Sequence, residues 1–231
     1  MKKIGLIGGM SWESSAEYYR IINEMVKEKL GGLHSAECIL YSVDFEEIEK
    51  LQHDGKWEDL TKLMKKFAKK LEAAGAEFIL ICTNTMHKMA EDVQANIGIP
   101  LFHITDATAE KIHENGFGKV GLLGTKFTME EDFYRKRLKL KHNIEVLVPA
   151  DNERELIHEI IYDELCVGII RDSSRKKFKE IIRNLSSRGA EGIILGCTEI
   201  PLLINEKDVD IPLFDTMTIH AKSAVEFALK Q

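Results

Sequence analysis

Prolines, tryptophans and cysteines are scarce in this 231-residue sequence, which has four, two and four of them respectively. No apolar run approaches the ~18 residues of a transmembrane helix, so we expect no membrane-spanning segment. The first apolar run is too short for a signal peptide and is interrupted by glycines, so we expect a cytoplasmic protein with reduced thiols. The net charge of -6 disfavours nucleic acids and anionic membranes as partners.

Two common fingerprints of bound groups are also missing. The segment GLIGGMS (5–11) does not follow G-x-G-x-x-G and lacks the lysine and hydroxyl of a P-loop, which disfavours a nucleotide-binding enzyme. No pair of cysteines or histidines has the spacing of structural zinc ligands, so a metal site built from Cys82, His87 and Cys197 is not expected. The composition is otherwise ordinary for a globular protein, with 44% apolar and 30% charged residues.

Four short segments of the first half recur in the second half, in the same order and at a nearly constant spacing. The pairs are KKIGLIGGMS (2–11) with GKVGLLGTKF (118–127), EYYR (17–20) with DFYR (132–135), GAEFILIC (75–82) with GAEGIILGC (189–197), and IPLF at 99–102 and 211–214. No single match is persuasive, but four ordered matches indicate a duplicated unit.

Each copy alternates short apolar runs with amphipathic helical patterns. Runs such as IGLIG and VGLLG, closed by glycine, are typical of buried parallel strands. Capping-box spacings predict that one helix begins at Ser14, with Glu17 completing the box, and that another begins at Thr128, with Glu131. This alternation predicts an α/β fold with parallel sheets.

The duplication predicts two similar lobes, each a parallel sheet flanked by helices, related by pseudo-twofold symmetry with the site between them. The lobes are predicted to comprise residues 1–104 with 215–231, and residues 105–214. The last helix, roughly 216–230, is expected to pack back on the first lobe.

Both copies end an apolar strand in Cys-Thr, at Cys82 and at Cys197. Ligands bind at the carboxyl ends of parallel strands, so we expect the two thiols to face each other across a cleft. Racemising an amino acid requires one group to remove the Cα proton and another to supply a proton to the opposite face. A thiol with a pKa of about 8.5 can do either, and a helix start beyond each strand is expected to favour the thiolate.

Residues near these strand ends, nearly all of them polar, are the candidate substrate contacts. They are Thr83, Asn84, Thr85 and Thr198 beside the cysteines, and Met10, Ser11, Thr125, Lys126 and Thr128 after the first strand of each copy. Glu199 could orient the thiol or the substrate ammonium, or it could cap the following helix. His87 and His103 are interpreted as surface or supporting residues, and Cys38 and Cys166 as packing residues.

The segments IGLIGGMSWES, GAEFILICTNT, LLGTKFT and GAEGIILGCTE together resemble the aspartate/glutamate racemase superfamily of cofactor-independent amino-acid racemases. GGMSWES, CTNTMHK, GTKFTMEEDFYR and GCTEIPLL are most similar to its broad-specificity branch. The resemblance implies two α/β lobes, no pyridoxal phosphate or other cofactor, no metal and a homodimer. It also implies that Cys82 and Cys197 are the two bases and that Met10 lies at the cleft. The α-carboxylate ligands would be Thr83, Asn84, Thr85 and Thr198.

The sequence departs from this family pattern at one place. Aspartate-specific relatives carry an arginine, in the loop after the second strand, that pairs with the substrate's side-chain carboxylate, whereas SVDFEEIEKLQ (42–52) contains none. Either Lys126 or a more distant cation takes that role, or the substrate side chain is neutral, and Gln52 is the polar candidate in this segment. A dicarboxylate cis/trans isomerase and a non-catalytic module that binds a small anion remain the alternative functions.

Overall fold

The computed structural model describes residues 1–230 and divides into two compact units. One unit comprises Met1–Ile104 and the residues from His220 onward, and the other comprises Thr105–Ile219. The sequence predicted that the chain returns to the first lobe at residue 215, whereas it re-enters the first unit at His220, five residues later. The difference has a local cause, because the hydroxyl of Thr216 donates a 2.9 Å hydrogen bond to the carbonyl of Leu195 in the second unit.

The first unit contains one parallel sheet in the order β2-β1-β3-β4. Its strands are β1 (Ile4–Gly8), β2 (Cys38–Ser42), β3 (Phe78–Ile81) and β4 (Leu101–Phe102). Its helices are α1 (Trp12–Leu30), α2 (Phe45–His53), α3 (Trp57–Ala73), a 3₁₀ helix at Thr85–Met89, and α4 (Ala90–Gln94). The central strands β1 and β3 are buried along their whole length, which explains why their sequences are continuous apolar runs.

The second unit repeats this arrangement with the order β6-β5-β7-β8. Its strands are β5 (Lys119–Leu123), β6 (Glu145–Leu147), β7 (Gly192–Leu195) and β8 (Leu213–Asp215). Its helices are α5 (Ile104–Glu114), α6 (Lys126–Glu130), α7 (Asp132–His142), α8 (Asp151–Asp163), a 3₁₀ helix at Leu165–Val167, α9 (Asp172–Ser187) and α10 (Ile200–Leu203); α11 (Thr216–Leu229) ends the chain. The predicted parallel α/β architecture is confirmed, and the equal strand orders agree with a duplicated unit.

The two predicted capping boxes are wrong by one helical turn. The cap of α1 is Ser11, whose hydroxyl accepts from the backbone N–H of Ser14, and the cap of α6 is Thr125, whose hydroxyl accepts from the N–H of Thr128. Both helices begin three residues before the predicted position. The reason is that a serine or threonine in the turn after the strand accepts a hydrogen bond from a backbone N–H of the first helical turn, which has no acceptor within the helix.

Candidate active site

The turn after β7 joins three of the predicted site residues. The thiol of Cys197 donates to Oε2 of Glu199 over 2.9 Å, and the hydroxyl of Thr198 donates to the same oxygen over 2.9 Å. Cys197 is half-buried, whereas Glu199 is only 9% exposed. Of the roles considered for Glu199, the observed one is orienting the thiol, since its side chain makes no capping bond to α10.

The electrostatic setting of Cys197 differs from the one expected. Burial, and then the negative charge of Glu199, raise the pKa of the Cys197 thiol well above its ordinary value. The expected help from a following helix is absent, because α10 has only four residues and a short helix has little dipole. The resting thiol is therefore protonated at neutral pH, with its hydrogen directed at a carboxylate.

The turn after β5 lies directly beside the Cys197 turn. The hydroxyl oxygens of Thr125 and Thr128 are 3.3 Å apart, and a Cβ added to Gly196 would lie 3.2 Å from the methyl carbon of Thr128. The same Cβ would lie 2.8 Å from the carbonyl oxygen of Leu123, so only glycine fits at this position. The structure thus brings Thr125 and Thr128 together with the residues that precede Cys197.

Lys126 is placed differently from the two threonines. Its ammonium forms an ion pair with Glu155 of α8, and its backbone N–H donates to Nδ1 of His158 over 3.3 Å. The Glu155 carboxylate raises the pKa of Lys126, so the lysine carries a full charge that already has a counter-ion. A substrate carboxylate would have to compete with Glu155 for it.

Cys82 immediately follows β3 in the first unit. Its side chain is 0% exposed, and burial raises the pKa of its thiol far above the ordinary value. Its backbone N–H donates to the carbonyl of Ile7 over 2.9 Å, which extends the ladder between β1 and β3 by one bond. The main chain of Cys82 therefore still behaves as strand, and its thiol lies in the interior.

The hydrogen-bond register identifies the counterpart of Cys82 in the second unit. Ile7 and Leu123 are the last residues of β1 and β5 that pair with β3 and β7. The carbonyl of Ile7 accepts from Cys82, and the carbonyl of Leu123 accepts from Gly196 over 2.6 Å. Cys82 and Gly196 thus occupy equivalent positions in the two sheets.

It follows that the two Cys-Thr pairs are offset by one residue when the two sheets are aligned. Thr83, the next residue after Cys82, is the structural counterpart of Cys197. Thr83 is also half-buried, as Cys197 is, whereas Cys82 has no exposed surface. The extra glycine before Cys197 accounts for the shift, which the match between the two cysteines in sequence conceals.

The residues after Cys82 form a compact polar turn. Asn84 and Thr85 are 3% and 7% exposed, and Thr85 begins the 3₁₀ helix. Nδ1 of His87 lies 2.8 Å from the carbonyl oxygen of Thr83. The predicted residues Thr83, Asn84 and Thr85 are therefore adjacent at the carboxyl end of β3, and His87, interpreted as a surface or supporting residue, fixes this turn.

Met10 and Ser11, predicted to line a cleft, each have a structural role in the first unit. Met10 is 5% exposed and packs in an apolar cluster with Ile7, Met64 and Met86. Ser11 caps α1, and its backbone carbonyl accepts from the hydroxyl of Ser15. Contact between either residue and a substrate stays a prediction, while their structural roles are evident.

Gln52 is an unusual polar residue on α2. It is 5% exposed, and among residues 1–230 no donor lies within hydrogen-bond distance of its Oε1. Ile48, one helical turn earlier on the same face, belongs to the apolar cluster that contains Met10 and Met86. The amide oxygen therefore lies in the interior of the first unit, and a buried unpaired amide oxygen requires an explanation.

Two kinds of feature are not found. Within residues 1–230, no group of three or more histidine, cysteine or acidic side chains is arranged to hold a metal ion. None of the helices in the same part of the chain is long and apolar enough to cross a membrane.

Comparison with known families gives a match that covers most of the chain. Residues 7–224 match the family described as Asp/Glu/hydantoin racemase. Among curated proteins, the chain is 24% identical over 230 residues to the broad specificity amino-acid racemase RacX of Bacillus subtilis (strain 168), covering 96% of each sequence.

Solved structures give the same picture. A Yersinia pestis protein with a provisional assignment as an Asp/Glu racemase is 56% identical, with a TM-score of 0.95 and full coverage of both chains. PH1733 of Pyrococcus horikoshii OT3, an aspartate racemase homologue, is 42% identical, with a TM-score of 0.87 and full coverage of both chains. A glutamate racemase of Francisella tularensis in complex with D-glutamate is 19% identical, with a TM-score of 0.66, and shares the fold.

Proposed function

Because the chain belongs to the Asp/Glu/hydantoin racemase family, we propose that it racemises a free amino acid by moving a proton at Cα through its own side chains. The chain is an isomerase of the racemase type. What we propose is which side chains transfer the proton and which amino acid is the substrate. A racemase needs a group that removes the Cα proton from one face, a second group that supplies one to the other face, and stabilisation of the negative charge in between.

The observation that carries the proposal is the 2.9 Å contact between Sγ of Cys197 and Oε2 of Glu199. When substrate binds, the thiol proton moves to the carboxylate, which gives a thiolate and a neutral carboxylic acid. The thiolate then takes the Cα proton and becomes a thiol again. In the reverse direction the thiol returns this proton to Cα, and the thiolate that results recovers its first proton from Glu199. In the forward direction Glu199 loses its proton to solvent when product leaves, and the second group regains one from solvent, which resets the site.

The second acid/base group is proposed to come from the turn Cys82–Thr83. The sequence predicts Cys82 for this role, and that prediction is untested. The register favours Thr83, whose position matches that of Cys197 and whose side chain is partly exposed. A neutral hydroxyl can supply a proton to a carbanion, although it is a much weaker acid than a thiol. To act as the base in the opposite direction it must first lose its own proton.

The substrate α-carboxylate is proposed to bind the hydroxyl and amide donors beside the acid/base groups. Asn84 and Thr85 provide them in the first unit. In the second unit the hydroxyl of Thr198 exchanges its bond to Glu199 for one to the substrate when Glu199 takes the thiol proton. Negative charge that develops on the carboxylate during Cα deprotonation is stabilised by such donors, which cost no reorganisation when they are fixed in advance. A hydrogen bond to a neighbouring side chain restrains each turn, from His87 to the carbonyl of Thr83 and from Thr198 to Glu199.

For the substrate side chain we propose recognition by Gln52, with a preference for a polar, uncharged group. Its unpaired Oε1 needs a donor, which a substrate amide or hydroxyl provides, whereas a substrate carboxylate could bind only the Nε2 hydrogens and would leave Oε1 unpaired. Segment 42–52 contains no arginine or other cation near the amide except Lys50, and Lys126 is already paired with Glu155. A homodimer and a cytoplasmic location remain predictions of the sequence.

The test is exchange of the Cα proton in deuterated water, followed by chiral separation, with a panel of acidic, polar uncharged and apolar L-amino acids. Cys197→Ala should abolish conversion of every substrate. Thr83→Val should reduce conversion by about 100-fold or more, while Cys82→Ala should leave it within about threefold. Normal racemisation by the Cys197 variant refutes the mechanism, and loss of activity in Cys82→Ala but not in Thr83→Val assigns the second role to Cys82.

A further inference from the structure

His87 is held between two backbone groups in a way that fixes its protonation. Nε2 lies 3.2 Å from the backbone nitrogen of Ile104, and Nδ1 lies 2.8 Å from the carbonyl oxygen of Thr83. A backbone N–H can only donate, so Nε2 accepts; a carbonyl can only accept, so Nδ1 carries the hydrogen. The imidazole is therefore neutral with its proton on Nδ1, and it is only 3% exposed.

Both backbone groups need such a partner. The carbonyl of Thr83 lies beyond the ladder between β3 and β4, which includes only Ile79 and Leu80 of β3. Ile104 is the first residue of α5, and the first N–H groups of a helix have no acceptor within the helix. One imidazole thus satisfies a buried donor and a buried acceptor that secondary structure leaves open.

The surroundings of His87 make this arrangement rigid. Its ring centroid is 4.5 Å from that of His103 and 5.7 Å from that of His220. His220 is itself fixed, since its Nε2 donates to the carbonyl of Phe102 over 2.8 Å. Ile104 and His220 are also the residues at which the chain leaves and re-enters the first unit, so the cluster lies at both crossings.

We propose that His87 is a positioning residue for the reaction: its Nδ1–H fixes the carbonyl of Thr83, and thereby the side chains of Thr83, Asn84 and Thr85, relative to β3. The inference rests on the proposed function, because these are the groups assigned to proton transfer and to the α-carboxylate. His87 touches neither substrate nor reacting atoms. A small displacement of acid/base groups is costly, since a shift of about 1 Å can reduce the rate by about 100-fold.

Two nearly isosteric substitutions separate the two bonds. In His87→Asn the amide nitrogen lies near the former Nδ1, so the bond to Thr83 is kept and the bond to Ile104 is lost. In His87→Gln the amide oxygen reaches the former Nε2, so the bond to Ile104 is kept and the bond to Thr83 is lost. His34→Asn is the matched control, because His34 is exposed.

We expect both His87 variants to be less stable than wild type, because each removes one buried hydrogen bond to the backbone. Only His87→Gln should lose kcat, by about 10-fold or more, at a temperature where all variants remain folded. His34→Asn should match wild type in both measurements. Equal kcat values for the Gln and Asn variants overturn the inference.

A readout that does not depend on activity separates the failure of this inference from failure of the proposed function. Nitrogen-15 NMR of the imidazole should show the Nδ1–H tautomer of His87 in the wild-type protein. Hydrogen exchange of the Asn84 and Thr85 amides should be faster in His87→Gln than in His87→Asn. An Nε2–H tautomer, or equal exchange, refutes the positioning role; a wild-type protein that shows both features but does not exchange Cα protons refutes only the proposed function.

Discussion

Sγ of Cys197 and Oε2 of Glu199 are joined by a 2.9 Å hydrogen bond in which the thiol is the donor. Thr198 donates to the same oxygen and holds the carboxylate in place. The carboxylate has two opposing effects on the thiol. Its negative charge opposes ionisation of the thiol, and its oxygen provides a nearby acceptor for the thiol proton.

Replacing Glu199 with Gln should separate these effects. Removing the charge lowers the pKa of the Cys197 thiol, because Glu199 is one of the groups that raise it. Racemisation should nevertheless fall by about 100-fold or more, since the amide cannot take the thiol proton. Absorbance at 240 nm against pH measures the thiolate, and the racemisation assay measures the rate.

Glu206→Gln is the control for this experiment, because Glu206 is an exposed glutamate whose removal changes the net charge equally. It should alter neither the thiol titration nor the rate. A Glu199→Gln enzyme with normal activity would exclude the carboxylate as the proton acceptor.

Because His220 is buried, we expect the free energy of unfolding to decrease in mild acid. Burial lowers the pKa of His220 from 6.5 to about 4. The unfolded chain binds a proton at this site below pH 6.5, whereas the folded chain does not until pH 4. The contribution of His220 to the free energy of unfolding should therefore fall as the pH is lowered from 6.5 to about 4, by up to about 3 kcal/mol, and stay constant below that.

Urea unfolding at several pH values measures this dependence. The slope of the unfolding free energy against pH gives the number of protons taken up on unfolding. Between pH 6.5 and 4 this number should be smaller in His220→Gln by up to one proton, whatever the stability of the variant at neutral pH. His34→Asn, at an exposed position, should keep the wild-type slope. An unchanged slope in His220→Gln would show that other groups dominate the acid response.

Gln52→Leu should increase stability and decrease activity. Leucine has a similar size and removes a buried amide oxygen that has no donor, so the free energy of unfolding should rise by about 1 kcal/mol. Loss of the proposed hydrogen bond should reduce kcat/KM by about 10-fold for amino acids with polar side chains. Alanine is the control substrate, because its methyl group makes no hydrogen bond, and an equal loss for alanine would contradict side-chain recognition.

Gly196→Ala should displace the turn that holds Cys197, because Gly196 directly precedes it. The new methyl group would lie 2.8 Å from the carbonyl oxygen of Leu123 and 3.0 Å from a methyl carbon of Leu122, so the strand end must shift. We expect a loss of about 1–3 kcal/mol of stability and reduced racemisation. Gly118→Ala is the matched control, because nothing lies within 4 Å of a Cβ at that position, and thermal unfolding compares the two.

The sequence was sufficient to predict the fold because the signals for it are local and repeated. Apolar runs closed by glycine mark the buried strands, and the ordered matches reveal the duplication. The register of the two strand ends could not be predicted in the same way. Aligning Cys82 with Cys197 gives the better sequence match, but the backbone bonds to Ile7 and Leu123 align Cys82 with Gly196 instead.

The environments of the site side chains also could not be predicted from the sequence. The expected preference for thiolate required long helices after β3 and β7, whereas the structure has a five-residue 3₁₀ helix and a four-residue α-helix. The interior position of Met10 and the bond between His87 and Ile104 depend on contacts between residues far apart in sequence, and local patterns do not report such contacts.

The one-residue offset between the strand ends has a thermodynamic corollary. Enantiomers have equal free energies in an achiral solvent, so the Haldane relationship requires the same kcat/KM in the L-to-D and D-to-L directions. An enzyme with a thiol at one position and a hydroxyl at its counterpart can therefore show its handedness only through unequal turnover numbers that are offset by unequal Michaelis constants.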